Sequence, residues 1–324
     1  MLEIKRKHLP AIAIICMLVI THMLALNVVQ TYPEEYQAFG EDVDDPTNPL
    51  IYIGVILLFT AGMLLVFKYG KENYLQYAIL GVVGLTLFYV FSPVLLRIGY
   101  PLIERLQLNW TVWSYLIAIF SILLAIGLTY LLYKKPEWYV VNGIGIIMGA
   151  GIAGIFGMSL GILPVFILLI ALAVYDFISV YKTKHMISLA SGVMKMKVPV
   201  MMVVPQKADY SFAKKEGLDQ EIDREGEREA MFIGLGDLII PGILPVAAFL
   251  HLERTWIGGH SGPLLVAMGS IAGAVVGMIV LTSFVLKGKP HAGLPLLNSG
   301  SILGYMISYL VIYQNFTFGL VLPW

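Results

Sequence analysis

Nine apolar runs, each about 20 residues long, divide this chain, and no soluble fold accommodates that pattern. They are Leu9–Val29, Leu50–Phe67, Tyr74–Leu96, Thr111–Tyr133, Trp138–Phe156, Gly161–Tyr181, Ala230–Leu250, Pro263–Leu286 and Pro295–Tyr313. At 1.5 Å rise per residue, about 20 residues cross a hydrocarbon core of ~30 Å. In hydrocarbon every backbone N–H and C=O must be paired within its own segment, so each run folds as a helix. The expected fold class is all-α, a polytopic bundle of nine transmembrane helices. A composition of 58% hydrophobic and 13% charged residues over 324 positions agrees. The first run is read as a retained span, since it is long and has no small-residue cleavage site before the acidic stretch that follows.

Basic residues set the expected orientation. Of the 21 Lys and Arg, 18 lie at the N-terminus or in the even-numbered connections, and only Arg97, Arg105 and Arg254 lie on the other side. The positive-inside rule then gives a cytoplasmic N-terminus and an extracytoplasmic C-terminus, in a cell-membrane protein. Residues 1–181 hold segments one to six, residues 182–229 form a cytoplasmic loop, and residues 230–324 hold segments seven to nine. In the loop, Val198–Val204 reads as a short β-branched strand at the membrane surface, and Lys207–Glu229 as a mobile charged stretch. Gly269, Gly273 and Gly277 share one helix face, as do Gly145 and Gly149, which points to close helix packing within the bundle or against a second copy of the chain.

Only two of the 21 acidic residues fall inside these runs, Asp176 and Asp237. A carboxylate at membrane depth is unfavourable by roughly 2.5–3.5 kcal/mol on insertion scales, which makes it a functional candidate. Asp176 precedes Lys182 by six residues, or ~9 Å of helix, and Asp237 follows Glu229 by eight, or ~12 Å. Two carboxylates at matching depth on consecutive antiparallel spans can face each other. In a low dielectric such a pair holds one proton between them. That suits amide hydrolysis: one member takes a proton from the attacking water, and the other polarises the carbonyl and protonates the leaving nitrogen. Gly234 and Gly236 remove side chains beside Asp237, and Pro241 and Pro245 should loosen the seventh helix. Tyr175 either hydrogen-bonds a carboxylate or is an interfacial tyrosine.

Other polar residues are quieter. Zero net charge gives no support for a nucleic-acid partner. The single cysteine, Cys16, excludes an intrachain disulfide and a cysteine metal cluster. His22 reads as a packed histidine, and His185, His251, His260 and His291 as solvated residues at segment ends. No metal-ligand spacing appears, and no cofactor is expected. Asn109 and Asn315 sit in sequon-like triplets that hug the membrane and are ascribed to chance.

The motifs in order are Tyr175-Asp176, Gly234-Leu235-Gly236-Asp237 and Pro295-Leu296-Leu297. Together they resemble the presenilin and signal-peptide-peptidase family of intramembrane aspartyl proteases, over nearly the whole chain. The cytoplasmic N-terminus resembles the presenilin arrangement, and the compact chain its archaeal members; Leu296 stands where the presenilin motif has alanine. The resemblance implies a presenilin-like bundle in which Asp176 and Asp237 are catalytic. It also implies that Tyr175, Gly234, Leu235, Gly236 and Pro295–Leu297 help bind substrate, a transmembrane-helix or signal-peptide segment held in the bilayer. The residues leave other readings open: a proton-coupled transporter using the same two carboxylates, a prepilin-type peptidase, or a pair satisfied by packing alone.

Overall fold

A computed structural model of the chain describes residues 2–38, 42–68, 72–107, 109–183, 201–206, 210–212, 230–286 and 291–321. Among these are nine α-helices: α1 (Leu2–Val28), α2 (Asn48–Lys68), α3 (Glu72–Arg105), α4 (Trp110–Lys134), α5 (Trp138–Ser159), α6 (Ile162–Ile178), α7 (Leu235–His251), α8 (Gly262–Val285) and α9 (Leu294–Tyr313). Seven are long and apolar enough to cross a membrane; α7 and the apolar stretch Asn48–Gly62 of α2 are shorter. The turn between α5 and α6 is only Leu160–Gly161, so the fifth and sixth runs are indeed two helices. Both sequon asparagines have local work. Asn109 caps α4 by accepting the Val112 N–H at 3.2 Å, and the Asn315 side-chain oxygen accepts the Thr317 hydroxyl at 2.8 Å.

The seventh run does not fold as one helix. Its first five residues form strand β2 (Ala230–Gly234), paired antiparallel with β1 (Met201–Pro205), and α7 begins only at Leu235. Of these five residues only Phe232 and Ile233 favour a strand locally, so the pairing with β1 carries the extended backbone. The expected strand is present over Met201–Pro205; residues 198–200 of the expectation, His185 and nearly all of Lys207–Glu229 lie outside the described residues. A second, two-residue hairpin, Trp256–Ile257 with His260–Ser261, turns the chain from α7 into α8.

The bundle is apolar on its outer surface as well as in its core. Its rim carries large exposed apolar side chains such as Leu58, Ile98, Tyr115 and Leu123, which face lipid. Cys16 is on that lipid-facing surface too. Inside, α7 is the axis: Leu238, Ile243, Leu244, Val246 and Ala247 have no solvent-accessible surface, and α1, α5, α6, α8 and α9 pack around it. His251, expected in solvent, is half-buried at the end of α7 and its Nε2 lies 3.1 Å from the Gly157 carbonyl of α5. His291 likewise stacks on Phe284, ring centroids 4.9 Å apart. In the loop before α2, partial burial raises the Asp44 carboxyl above its ordinary pKa, with His251 drawing it back.

The glycine faces find their partners within the chain. Gly269, Gly273 and Gly277 of α8 lie against Gly304, Gly300 and Leu296 of α9, backbone to backbone. Gly145 and Gly149 of α5 admit Met202, Leu235, Thr21 and Ile239. A Cβ added at Gly273 would stand 3.0 Å from the Gly304 Cα and closer still to the Gly300 carbonyl, and backbone cannot rotate aside. Gly273→Ala is therefore expected to destabilise by about 1–3 kcal/mol, as overpacking does elsewhere. Thermal unfolding in detergent measures it, with Gly127→Ala, where a Cβ meets open space, as the neutral control.

Candidate active site

The Gly-Leu-Gly-Asp motif is a helix start. Gly234 is the N-cap of α7 and Asp237 its third residue, and the Asp237 carboxylate folds back toward the cap, where a Cβ on Gly234 would stand 3.5 Å from its Oδ2. An acidic residue at that position reaches back to the cap amide as in a capping box, and it sits at the positive end of the helix dipole. Asp237 is thus in the first turn, half-buried, rather than two turns inside a continuous span.

Asp176 comes from the last turn of α6 and is 3% exposed. Beyond it the helix widens into a single π turn, Ser179–Thr183. Its Oδ2 accepts the Leu294 N–H at 3.1 Å, and the Gly293 amide also faces it. These are the unpaired amides at the N-terminus of α9, which makes that end a natural seat for a carboxylate. The other carboxylate lies against Gly293. A Cβ at Gly293 would stand 2.8–3.0 Å from three atoms of the Asp237 carboxyl group. The two aspartates therefore converge on Gly293–Leu294 and lie close enough to interact electrostatically.

Several bonds hold this junction in register. Asn298, one turn into α9, donates from Nδ2 to the Leu169 carbonyl of α6 at 2.8 Å. Pro295 sits in the first turn of α9, and the amides of Leu296 and Leu297 both pair with the Gly293 carbonyl at 3.2 and 3.1 Å. Asn142 of α5 grips the outer edge of β1 at both ends: its Nδ2 donates to the Val203 carbonyl at 2.7 Å, and its Oδ1 accepts the Val203 N–H at 2.8 Å. Of the motif residues, Leu235 and Leu297 are buried, Gly234, Pro295 and Leu296 are half-buried, and Gly236 is exposed. A Cβ on Gly236 would meet only its own helix, at Ile240, so the space over it is open. Tyr175 is half-buried beside Asp176. Sequence reasoning misses Gly293, Asn298 and Asn142. The two asparagines do carry a signal, being lone amides inside apolar runs.

The sequence profile of a family described as signal-peptide peptidase, presenilin aspartyl protease matches residues 15–313. The chain belongs to that family. Two solved structures of a presenilin family intramembrane aspartate protease, in C222 and P2 space groups, are each 32% identical to it. They cover 94% of this chain and 100% and 98% of their own, with TM-scores of 0.64 and 0.62. No curated protein matches the chain. This presenilin-family member is a multi-pass membrane protein and an intramembrane aspartyl protease, and the transporter reading finds no support in these relations.

Among the described residues no group of three or more His, Cys, Asp or Glu side chains could hold a metal ion.

Proposed function

We propose that Asp176 and Asp237 are the catalytic pair with which this protease hydrolyses peptide bonds inside transmembrane helices of membrane-protein or signal-peptide substrates. The observation that carries the reading is the convergence of both carboxyl groups on Gly293–Leu294. With one proton shared between them, the ionised member takes a proton from water as its oxygen attacks the scissile carbonyl carbon. The protonated member hydrogen-bonds the carbonyl oxygen, and a proton then passes to the departing nitrogen as the C–N bond breaks. Tyr175, Gly234, Leu235, Gly236 and Pro295–Leu297 are assigned to holding the substrate backbone beside the pair. The basic-residue distribution supports a cytoplasmic N-terminus and an extracytoplasmic C-terminus in the cell membrane. The glycine faces are filled within the chain, so they lend nothing to self-association.

A helical peptide bond is shielded from water, and the hairpin offers a way to extend it. Val203 turns both its N–H and its C=O toward Asn142, so the Val203–Phe232 pair is not hydrogen-bonded to itself. The Phe232 N–H and C=O therefore face the opposite edge, two residues before Gly234. A substrate strand added there would lead its scissile bond toward Asp237. Phe232→Pro removes the outward N–H and leaves the β1–β2 ladder intact. Cleavage is expected to fall about 10-fold in kcat/KM, the loss of roughly one bound hydrogen bond to an extended chain. Undiminished cleavage would sink the strand-addition step.

The activity itself is tested with purified protein in detergent and a labelled transmembrane-helix peptide, the cut located by mass spectrometry. A cut within the apolar segment that vanishes in either Asp→Asn variant supports the pair. A cut that survives both variants overturns it.

A further inference from the structure

His22 is the one titratable side chain of α1 that is wholly buried in the described bundle, and hydrolysis by two aspartates does not call on it. Its Nε2 lies 2.8 Å from the backbone carbonyl of Leu238, the residue after Asp237. A carbonyl only accepts, so Nε2 carries the hydrogen, and Nδ1 is left as an acceptor with no partner among the described residues. The ring packs against α7 where Gly242 makes room: a Cβ there would stand 2.7 Å from the His22 Cδ2 and 2.8 Å from its Nε2.

That part of α7 needs outside support. Pro241 and Pro245 lack N–H groups, so the carbonyls of Asp237 and Pro241 have no donor four residues on, and each ring pushes against the carbonyl it faces. Two bonds brace the weakened turns from opposite sides. From α9, the Ser301 hydroxyl donates to the Pro241 carbonyl at 3.2 Å. From α1, His22 donates to Leu238. Because Leu238 adjoins Asp237, the direction of its carbonyl and the direction of the Asp237 carboxyl are set by the same peptide turn.

We propose that His22 is a positioning residue for the protease reaction: its Nε2–H holds the Leu238 carbonyl, and with it the orientation of Asp237 toward Asp176. The proposal rests on Asp237 being catalytic. A displacement of the order of 1 Å at a reacting group lowers turnover by roughly 100-fold without weakening substrate binding. His22→Met keeps the volume and removes the donor; His22→Gln keeps an Nε2–H donor at similar reach. Gly242→Ala leaves the histidine in place and crowds its ring off the carbonyl, while alanine is the better helix former.

The experiment measures kcat and KM for transmembrane-peptide cleavage by the full-length protein, with thermal unfolding of each variant. His22→Met and Gly242→Ala should lose roughly 10- to 100-fold in kcat with KM within about 2-fold, and His22→Gln should stay within about 3-fold of the parent. Parental kcat in Gly242→Ala, or equal losses in His22→Gln and His22→Met, would overturn the proposal, as would a loss confined to KM. Activity surviving in Asp237→Asn, run alongside, would overturn the aspartyl pair and the role of His22 with it.

Discussion

Asp176→Asn and Asp237→Asn are each expected to lower transmembrane-peptide cleavage by about 10⁴-fold or more, with the double variant no slower than either alone. A general acid or base contributes ~10²–10⁴-fold on its own, and residues acting as a unit lose nearly everything when either is removed. The substitution is close to isosteric, and the amide oxygen of asparagine still accepts the Leu294 N–H that Asp176 accepts in the parent. Unfolding temperature and peptide binding should therefore hold while turnover disappears. Steady-state cleavage and binding of an uncleaved peptide to the variants separate the two. If Asp176→Asn lost peptide binding in step with turnover, the residue would be part of the scaffold and not of the chemistry.

Gly293→Ala is expected to abolish most activity while leaving the protein as stable as the parent or slightly more so. Gly293 has φ −79° and ψ −48°, right-handed helical backbone that any residue adopts. Alanine thus introduces no strain, and the stiffer unfolded chain favours folding by ~0.4–1 kcal/mol. The added Cβ, however, would stand 2.8–3.0 Å from the Asp237 carboxyl group, closer than van der Waals contact allows. A carboxylate can rotate away, and rotation takes it out of line with Asp176. A fall of about 100-fold in kcat is expected from a displacement of that size. An unchanged kcat would mean that Asp237 reaches its working position without touching Gly293. Gly234→Ala is the contrasting case, since a Cβ there makes ordinary contact with Asp237 at 3.5 Å and should be tolerated far better.

The two substitutions divide along the line between what is visible in the chain and what is not. Asp176 and Asp237 stand out because hydrocarbon makes any carboxylate conspicuous, so the order of residues is enough to single out both. Gly293 has no such mark. It lies outside every apolar run, and its importance is a distance to a residue 56 positions away in sequence. His22 is the packed histidine that its apolar surroundings suggest, but periodicity says nothing about the acceptor it meets. Asn142 and Asn298 are legible in principle, since a lone amide in hydrocarbon must find a partner for the same reason that a carboxylate must. Which carbonyl or strand each would find is not.

By itself the sequence determined the class of fold and singled out the two carboxylates at membrane depth; most span boundaries agree within a few residues, but α3 runs on to Arg105 and the seventh run opens as a strand. What it determined follows from local constraints: a fixed hydrocarbon thickness, a fixed rise per residue and the penalty on charge at depth. The tertiary structure alone decided that Ala230–Gly234 is a strand paired with Met201–Pro205, that the α8 glycines meet α9, and that the aspartates converge at the first residues of α9. Those outcomes depend on which elements pack side by side. Pairing energy between segments far apart in the chain overrides local preference, and no window of neighbouring residues contains it.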